Sequence, residues 1–363
     1  MTKLQRSYIR IILSAMLALG GAAALYWAMN NPFSVALEYR TSSRAAARLI
    51  SKLTGFFPFS LAEMLVYAFA LFSVFAIIRL IFELIKRPRR LLRLFSFISS
   101  ALLLIACVIT VFLELWGLNY FAPDMAAEMQ LPVTARSAQE LSEATLWLRD
   151  KAGEYAPLVE RDENGVTTAL DFQELSDRVS AAYKKAAAGN GFFGDTGARA
   201  KSVLWAEGMS FLGLTGIYFP FTAECSVNGT QTGADLPFTT AHEFAHRMGV
   251  APENEANFTA YLVLRGSGDN LLCYSAYYSA MCYCINALAR VDSSMAMSVY
   301  EGMDYGVIAD IIAANERYRQ YEGPVRDAAE SVNNTYLQVM QQPSGVRSYG
   351  EVVDLILADY YSQ

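Results

Sequence analysis

Three long apolar segments near the N-terminus constrain the fold of this 363-residue chain more than any other feature. Residues 11–29 and 94–113 carry no charge, and residues 59–78 carry only Glu63. About 20 helical residues, each rising about 1.5 Å, cross the hydrocarbon core of a bilayer. We therefore predict three transmembrane helices at these positions, which with their loops form a membrane anchor over residues 1–118. The first segment is longer than the apolar part of a signal peptide, so we expect it to stay uncleaved.

The basic residues predict which side of the membrane each segment occupies. Lys and Arg are concentrated before the first span and in the loop at 79–93, and short basic loops stay in the cytoplasm. Three crossings then place residues 119–363 outside the cytoplasmic membrane. The loop at 30–58 argues against this topology, because four basic residues recur in it at every fourth position, as on one stripe of a helix. These are Arg40, Arg44, Arg48 and Lys52.

The remaining two thirds of the chain are acidic, with 16 Lys and Arg against 31 Asp and Glu. We predict a helical lead segment over 119–200, with helices at 137–155 and 172–188, followed by a zincin-like domain over 201–363. The first of these helices begins with a Ser-x-x-Glu capping box at Ser137. No basic patch is present, so we expect no nucleic-acid partner.

Alternating apolar and polar residues over 217–228 predict one β-strand with a buried face. Pro220 lacks a backbone N–H, so this strand is predicted at the edge of a sheet. An exposed edge can bind an extended peptide by adding it as a further strand. The residues predicted to meet such a substrate are Tyr218, Phe219, Pro220, Phe221 and Thr222.

Both histidines of the chain lie in one H-E-x-x-H motif, at His242 and His246. On a helix, side chains four residues apart project from the same face, so the two imidazoles can hold one zinc ion. Glu243 then lies beside the metal, where it can take a proton from water. An alternative remains open at this point, because Thr240-x-x-Glu243 also fits a capping box, which would make Glu243 structural.

A catalytic zinc site needs a third protein ligand, and the next predicted helix offers Glu253 and Glu255 in its first turn. Asn254-Glu255-Ala256 resembles the Asn-Glu-Ala run that supplies the third ligand in thermolysin-like gluzincins. The resemblance implies Glu255 as the ligand of one zinc ion per chain. Glu253 and Asn257 are then expected to orient the imidazoles, with Glu253 also the alternative ligand.

Several segments together resemble a bacterial family, domain of unknown function 3810. They are PFTAE at 220–224, TTAHEFAH at 239–246, ENEANF at 253–258, YGEVVDL at 349–355, LWGLNY at 115–120, and the three apolar segments. The resemblance covers nearly the whole chain and implies a membrane-anchored zinc peptidase, which supports the same expectation as the motif.

Further residues are weaker candidates. Tyr274, Tyr277 and Tyr278 share a helical face, and a tyrosine could donate to the oxyanion of a tetrahedral intermediate. Side chains at this spacing also commonly pack in a core. Disulfides are permitted outside the cytoplasm, although no C-x-x-C pattern is present. The cysteines concerned are Cys225, Cys273, Cys282 and Cys284.

The sequence thus predicts a mainly α-helical protein, with three transmembrane helices and an extracytoplasmic α+β zincin-like domain that has a small sheet and an H-E-x-x-H helix. The expected function is a zinc metallopeptidase at the outer face of the bacterial cytoplasmic membrane, acting on a peptide or protein substrate. Its partners are that substrate and the lipid bilayer. A catalytically inactive zinc-binding scaffold and a zinc amidase acting on cell-wall material are the alternatives. An intramembrane protease is excluded, because residues 235–255 are too polar to lie in a bilayer.

Overall fold

The computed structural model describes residues 1–340 and 351–362, and this part of the chain is mainly helical. Its α-helices are α1 Lys3–Asn30, α2 Pro32–Ser34, α3 Arg40–Thr54, α4 Leu61–Lys86, α5 Arg90–Leu115, α6 Met125–Glu128, α7 Ala138–Tyr155, α8 Phe172–Gly189, α9 Ala206–Phe211, α10 Asp235–Arg247, α11 Glu253–Arg265, α12 Asn270–Val291, α13 Ser293–Val299, α14 Tyr305–Gln320, α15 Pro324–Val339 and α16 Glu351–Tyr360. The strands are β1 Lys201–Ser202, β2 Gly216–Phe219 and β3 Glu224–Val227. Short 3₁₀ helices occupy Gly117–Phe121 and Ala156–Leu158, and a π-helix occupies Val35–Tyr39.

Three of the helices, α1, α4 and α5, are long and apolar enough to cross a membrane. They include the three predicted segments, except that the second begins two residues before α4. Lys3, Arg79 and Arg93 all contact the carboxylate of Glu83, at 3.5, 3.3 and 2.7 Å. The start of α1, the end of α4 and the start of α5 therefore lie together, as the predicted order of three crossings requires.

The loop predicted at 30–58 is largely helical, and α3 within it packs against the part of the chain that follows α5. Arg40 is buried and forms an ion pair with Glu128 at 2.8 Å, while the guanidinium of Arg44 donates to the carbonyl of Met248. Arg48 and Lys52 remain exposed. Only the first half of the predicted basic stripe, Arg40 and Arg44, therefore has side chains that bind the part of the chain after α5.

The region predicted as one strand at 217–228 is instead a hairpin of β2 and β3. The two strands pair antiparallel, β1 pairs parallel to β3, and the sheet order is β1-β3-β2. Ala223 has a φ of 50°, a value that a continuous strand does not allow. Tyr218 and Phe219 therefore lie in β2, at the sheet edge. Pro220, Phe221 and Thr222 lie in the turn, where the alternation that suggested a strand is fortuitous.

One buried core joins the predicted lead segment at 119–200 to the segment after residue 200. Leu148 of α7 and Val179 of α8 belong to the same cluster as Phe244 of α10 and Phe258 of α11. Both predicted lead helices are present, and Ser137 and Glu140 form the predicted capping box. The predicted boundary at residue 200 does not separate two cores.

The cysteines are free thiols, and the C-terminal motif is described only in part. All five cysteines lie within residues 1–340, and none of them forms a disulfide there. Cys225, Cys273 and Cys284 are buried. Tyr349 and Gly350, which belong to the motif at 349–355, lie outside the described residues, and α16 begins directly after them.

Candidate metal centre

The H-E-x-x-H motif lies on α10, whose ends have local causes. The hydroxyl of Thr232 accepts a hydrogen bond from the amide of Asp235 at 3.3 Å, at the start of the helix. Gly249 adopts a φ of 81° directly after its end, a conformation that favours glycine. Thr240 lies inside the helix and donates to the carbonyl of Leu236. The capping-box alternative for Glu243 is therefore wrong.

The two imidazoles lie one helical turn apart and converge through their Nε2 atoms, which are 2.9 Å from each other. On the far side of each ring, Nδ1 is bound to an oxygen. The partner of His246 is the carbonyl of Val250 at 2.8 Å, and that of His242 is Oδ1 of Asn257 at 2.8 Å. A carbonyl oxygen can only accept, so His246 donates from Nδ1 and its Nε2 faces His242.

Glu253, at the first position of α11, is the carboxylate that joins the two histidines. Its oxygens lie 3.2 Å from Nε2 of His242 and 3.6 Å from Nε2 of His246. The candidate ligand atoms of these three residues all lie within 4.8 Å of one another. Because Glu253 begins a helix directly after the bend at Gly249, the carboxylate reaches back toward α10.

Glu255 does not join this group, which corrects the preferred ligand of the sequence analysis. Its carboxylate is buried and accepts a hydrogen bond from the backbone amide of Met125 at 2.8 Å. Burial raises the pKa of Glu255 to about 7. Two positions along a helix correspond to a rotation of about 200°, so Glu253 and Glu255 cannot face the histidines together.

The electrostatic field at the three residues favours positive charge. Burial lowers the pKa of His246, but the Glu253 carboxylate, Glu243 and the hydrogen bond to the Val250 carbonyl together outweigh burial and raise that pKa to about 9. The two histidines in turn hold the pKa of Glu253 well below its usual range, against the effect of burial. A cation between these groups would therefore be stabilised by the site.

Glu243 is buried on the same helix, between the two histidines in sequence. Burial raises its pKa above the usual range, and the two imidazoles oppose that rise. Among the described residues its Oε2 has no hydrogen-bond partner. A buried carboxylate oxygen without a partner is costly unless a ligand or water completes it, so its position is suited to proton transfer.

The strand β2 runs directly beside Glu243. A Cβ atom added to Gly216 would lie 2.4 Å from Oε1 of Glu243, so only glycine allows this approach. The carbonyl of Thr215 accepts from Asn228 of the neighbouring chain segment. Because backbone groups alternate in direction along an antiparallel strand, Gly216 and Tyr218 direct theirs away from β3. This edge therefore faces Glu243, whose carboxylate accepts a hydrogen bond from the backbone amide of Tyr218.

Aromatic residues at the end of α5 support the site, and the sequence analysis gave them no role there. Trp116 donates from Nε1 to the carbonyl of His246 at 2.8 Å, and its ring packs against the imidazole. Tyr120 packs on Trp116 and donates to the hydroxyl of Tyr336 at 3.4 Å. Burial, together with the charge of Glu253, raises the pKa of both tyrosines. Both hydroxyls therefore stay protonated at neutral pH.

The three tyrosines proposed as oxyanion donors have other contacts. Tyr274 donates to the buried carboxylate of Asp310, and the ring of Tyr278 stacks on that of Tyr274. Tyr277 stacks on Tyr155. These contacts are those of core packing, which was the alternative expected from their helical spacing, and they do not support the oxyanion prediction.

The residues of the site fit a divalent metal ion with nitrogen and oxygen ligands. Two imidazole Nε2 atoms and one carboxylate converge, and oxygen acceptors on Nδ1 orient both rings, as is usual for metal-binding histidines. Without a cation or an extra proton, two Nε2 lone pairs would meet at 2.9 Å. The buried Oε2 of Glu243, on the same helix, has no hydrogen-bond partner among the described residues.

Comparison with known proteins assigns the chain to a family. The model of a family described as protein of unknown function, DUF3810, matches residues 40–357. The chain belongs to this family. The DUF3810 match begins at the first residue of α3, so it includes α4, α5 and nearly all of the chain after α5, but not α1. No curated protein and no solved structure matches the chain.

Proposed function

We propose that this DUF3810 protein is a membrane-anchored zinc metallopeptidase. The observation that carries the proposal is the convergence of His242, His246 and Glu253, with Glu243 buried beside them. A structural zinc site normally has four protein ligands, whereas a catalytic site has three and leaves one position for water or substrate. The group of three ligands, together with a carboxylate that has an unpartnered oxygen, supports the catalytic alternative.

Each residue has a separate task in this proposal. His242, His246 and Glu253 hold the metal, while Asn257 and the Val250 carbonyl keep the imidazoles oriented. A bound zinc ion supplies Lewis acidity, which activates water and polarises a peptide carbonyl. Glu243 accepts the proton of the attacking water at its carboxylate and passes it to the leaving amine.

The paired hydroxyls of Tyr120 and Tyr336 are our candidates for stabilising the oxyanion. Tyr120 donates to Tyr336, which leaves the hydroxyl hydrogen of Tyr336 free to donate to substrate. Both lie close enough to Glu253 for its charge to act on them. Donors at a developing negative charge contribute strongly to acyl-transfer catalysis.

We propose that the substrate backbone binds to the free edge of β2. The outward amide and carbonyl groups of Gly216 and the carbonyl of Tyr218 would pair with an extended peptide and present it beside Glu243, to which the Tyr218 amide donates. Hydrogen exchange tests this step, because a bound peptide-like inhibitor should slow exchange of the outward Gly216 amide. Exchange at β2 that stays unchanged with inhibitor bound would exclude strand addition.

The cellular position follows from the predicted topology. We propose that α1, α4 and α5 span the bacterial cytoplasmic membrane and that the metal centre lies on its outer face. The basic loop at 79–93, whose two ends meet at Glu83, would remain in the cytoplasm.

The decisive experiment compares the full-length chain with Glu243→Gln, which keeps the size of the side chain but removes its charge. Zinc content is measured by elemental analysis, and peptide hydrolysis is measured in the same detergent preparation. We expect one zinc per chain in both proteins and a loss of hydrolysis of about 10²–10⁴-fold in the variant. Absence of bound zinc would overturn the proposal.

The same experiment separates the alternatives. Zinc in both proteins without hydrolysis of any substrate would favour the inactive scaffold over the enzyme. Hydrolysis of cell-wall amides but not of peptides would favour the amidase. In either case the zinc site would stand and the peptidase activity would be wrong.

A further inference from the structure

The outer part of the chain exposes apolar side chains beside the ends of the long apolar helices. On α3, Leu49 is 63% exposed and Leu53 is 59% exposed, and Phe56 just after the helix is 83% exposed. Between β1 and β2, Leu204 is 72% exposed and Trp205 is 60% exposed. We call these five residues the outer apolar surface.

The α3 half of this surface is one side of an amphipathic helix. Leu49 and Leu53 are one turn apart. The opposite face of α3, which packs on the part of the chain after α5, carries the buried residues Ala47 and Ser51. Arg48 and Lys52 flank the leucines and are exposed. Apolar side chains with flanking basic residues are typical of helices that lie in the interface plane of a bilayer.

The other half of the outer apolar surface, Leu204 and Trp205, is held at the first turn of α4 by hydrogen bonds. The backbone amides of Leu204 and Trp205 both donate to the carboxylate of Glu63, each at 2.9 Å. Glu63 is in the first turn of this apolar helix. Trp205 therefore lies at the level where the apolar helix begins, and tryptophan is enriched at membrane–water interfaces.

A second set of contacts fixes the sheet at the same level. Glu224 of β3 accepts from the amides of Leu61 and Ala62, at the start of α4. The hydroxyl of Ser60, which caps α4, lies 3.0 Å from that of Ser226 in β3. Neighbouring strands lie about 5 Å apart, and β3 contacts the start of α4. The strand β2 is therefore only one strand away from the start of this apolar helix.

We propose that the outer apolar surface is immersed in the headgroup and acyl boundary of the outer leaflet. The lipid bilayer is the occupant indicated by continuity with α4, and Arg48 and Lys52 are placed to meet lipid phosphates. The position of this surface at the membrane also defines the substrate class, an inference that rests on the proposed peptidase function. The free edge of β2 accepts polypeptide segments that lie next to the membrane, such as the outer ends of membrane-anchored polypeptides.

Fluorescence quenching tests the membrane contact independently of any enzyme activity. The chain has four tryptophans, of which Trp27 lies in α1 and is replaced first. The Trp27→Phe protein is reconstituted in nanodiscs with and without acyl-brominated phospholipid. We expect that adding Trp205→Phe removes most of the quenching by brominated lipid. Adding Trp147→Phe is the matched control and should leave it, because Trp147 packs against Tyr277 and Tyr360. Equal quenching with and without Trp205 would refute the membrane contact.

Hydrolysis of tethered peptides tests the substrate class. One peptide is attached to an acyl anchor in the same vesicles through a spacer of about 5 residues, which spans at most about 17 Å. The second has a spacer of about 20 residues, and the third has no anchor. We expect the short-spacer peptide to be cleaved at a rate within threefold of the long-spacer peptide. A short-spacer rate at least tenfold lower would place the site far from the membrane and overturn the inference. Failure to cleave any of the three, with zinc bound, would instead refute the proposed peptidase function, and the quenching result would stand.

Discussion

Exchange of two glutamates for glutamine distinguishes the ligand indicated by the structure from the one expected from the sequence. Glu253→Gln removes the carboxylate that lies 3.2 Å from Nε2 of His242 and 3.6 Å from Nε2 of His246. Glu255→Gln removes a carboxylate that instead accepts from the Met125 amide. The two substitutions are chemically identical and two residues apart, so each is the matched control of the other.

The pKa shift of His246 gives the expected loss of metal affinity in Glu253→Gln. The rise of its pKa from 6.5 to about 9 corresponds to a preference of about 3 kcal/mol for one positive charge, reached although burial acts in the opposite direction. Glu253 is the largest source of this preference. Its neutralisation should therefore weaken binding of a divalent cation by about 10²-fold or more, since 1.4 kcal/mol corresponds to a factor of ten.

The assay is a competition titration of zinc against a chromophoric chelator, with the full-length chain in detergent. We expect the dissociation constant of Glu253→Gln to rise by at least about 10²-fold and that of Glu255→Gln to stay within about threefold. Circular dichroism verifies that both variants are folded. The reasoning is refuted if Glu255→Gln loses zinc while Glu253→Gln keeps it.

Four further results are expected. Asn257→Ala should weaken zinc binding by about 10–100-fold in the same titration, because the amide orients His242; an unchanged affinity would contradict that role. Burial raises the pKa of Glu255 from 4.5 to about 7, so its stabilising effect is complete below pH 4.5 and is lost as the pH rises through 7. In urea titrations at pH 8, the unfolding free energy of Glu255→Gln should therefore exceed that of the wild type by up to about 3 kcal/mol. The unfolding free energies of the two proteins should converge near pH 4.5. Tyr336→Phe should lower kcat by about 10²–10³-fold with zinc retained, and an unchanged kcat would exclude it as an oxyanion donor. Glu224→Ala leaves Lys201 buried without its carboxylate partner and should lower the unfolding free energy by about 3–5 kcal/mol in urea titrations; a loss below about 1 kcal/mol would show that this ion pair does not stabilise the junction with α4.

The hairpin of β2 and β3 illustrates where pattern reading failed. Residues 217–228 alternate as one strand would, and Pro220 was interpreted as the mark of an edge. The chain instead turns at 220–223, where Ala223 has a positive φ. Alternation reports burial relative to a sheet and cannot report a reversal of direction, because both arms of the hairpin keep the same period. Even so, β2 itself lies at the predicted edge.

The role of Trp116 could not have been read from the sequence either. In the sequence analysis Trp116 appears only within the LWGLNY segment at 115–120, which contributes to the family resemblance and implies no role for this side chain. In the structure it donates to the carbonyl of His246, 130 positions further along the chain. Contacts at such a separation depend on how the helices pack, and a single sequence contains no signal for them.

What the sequence by itself determined is local in origin. Apolar runs of about 20 residues make three long helices, the Ser137 capping box begins α7, and the spacing of four puts His242 and His246 on one face of a helix. These features depend only on helical geometry and on neighbours a few positions away. They were therefore predictable without knowledge of the fold.

Tertiary structure alone decided which groups complete the site. The bend after α10 sets the rotation of α11, which directs Glu253 toward the histidines and Glu255 toward Met125. Packing of the hairpin against α10 puts Gly216 beside Glu243. Both outcomes follow from contacts between distant segments, whose geometry is determined by the shared core and not by the local sequence.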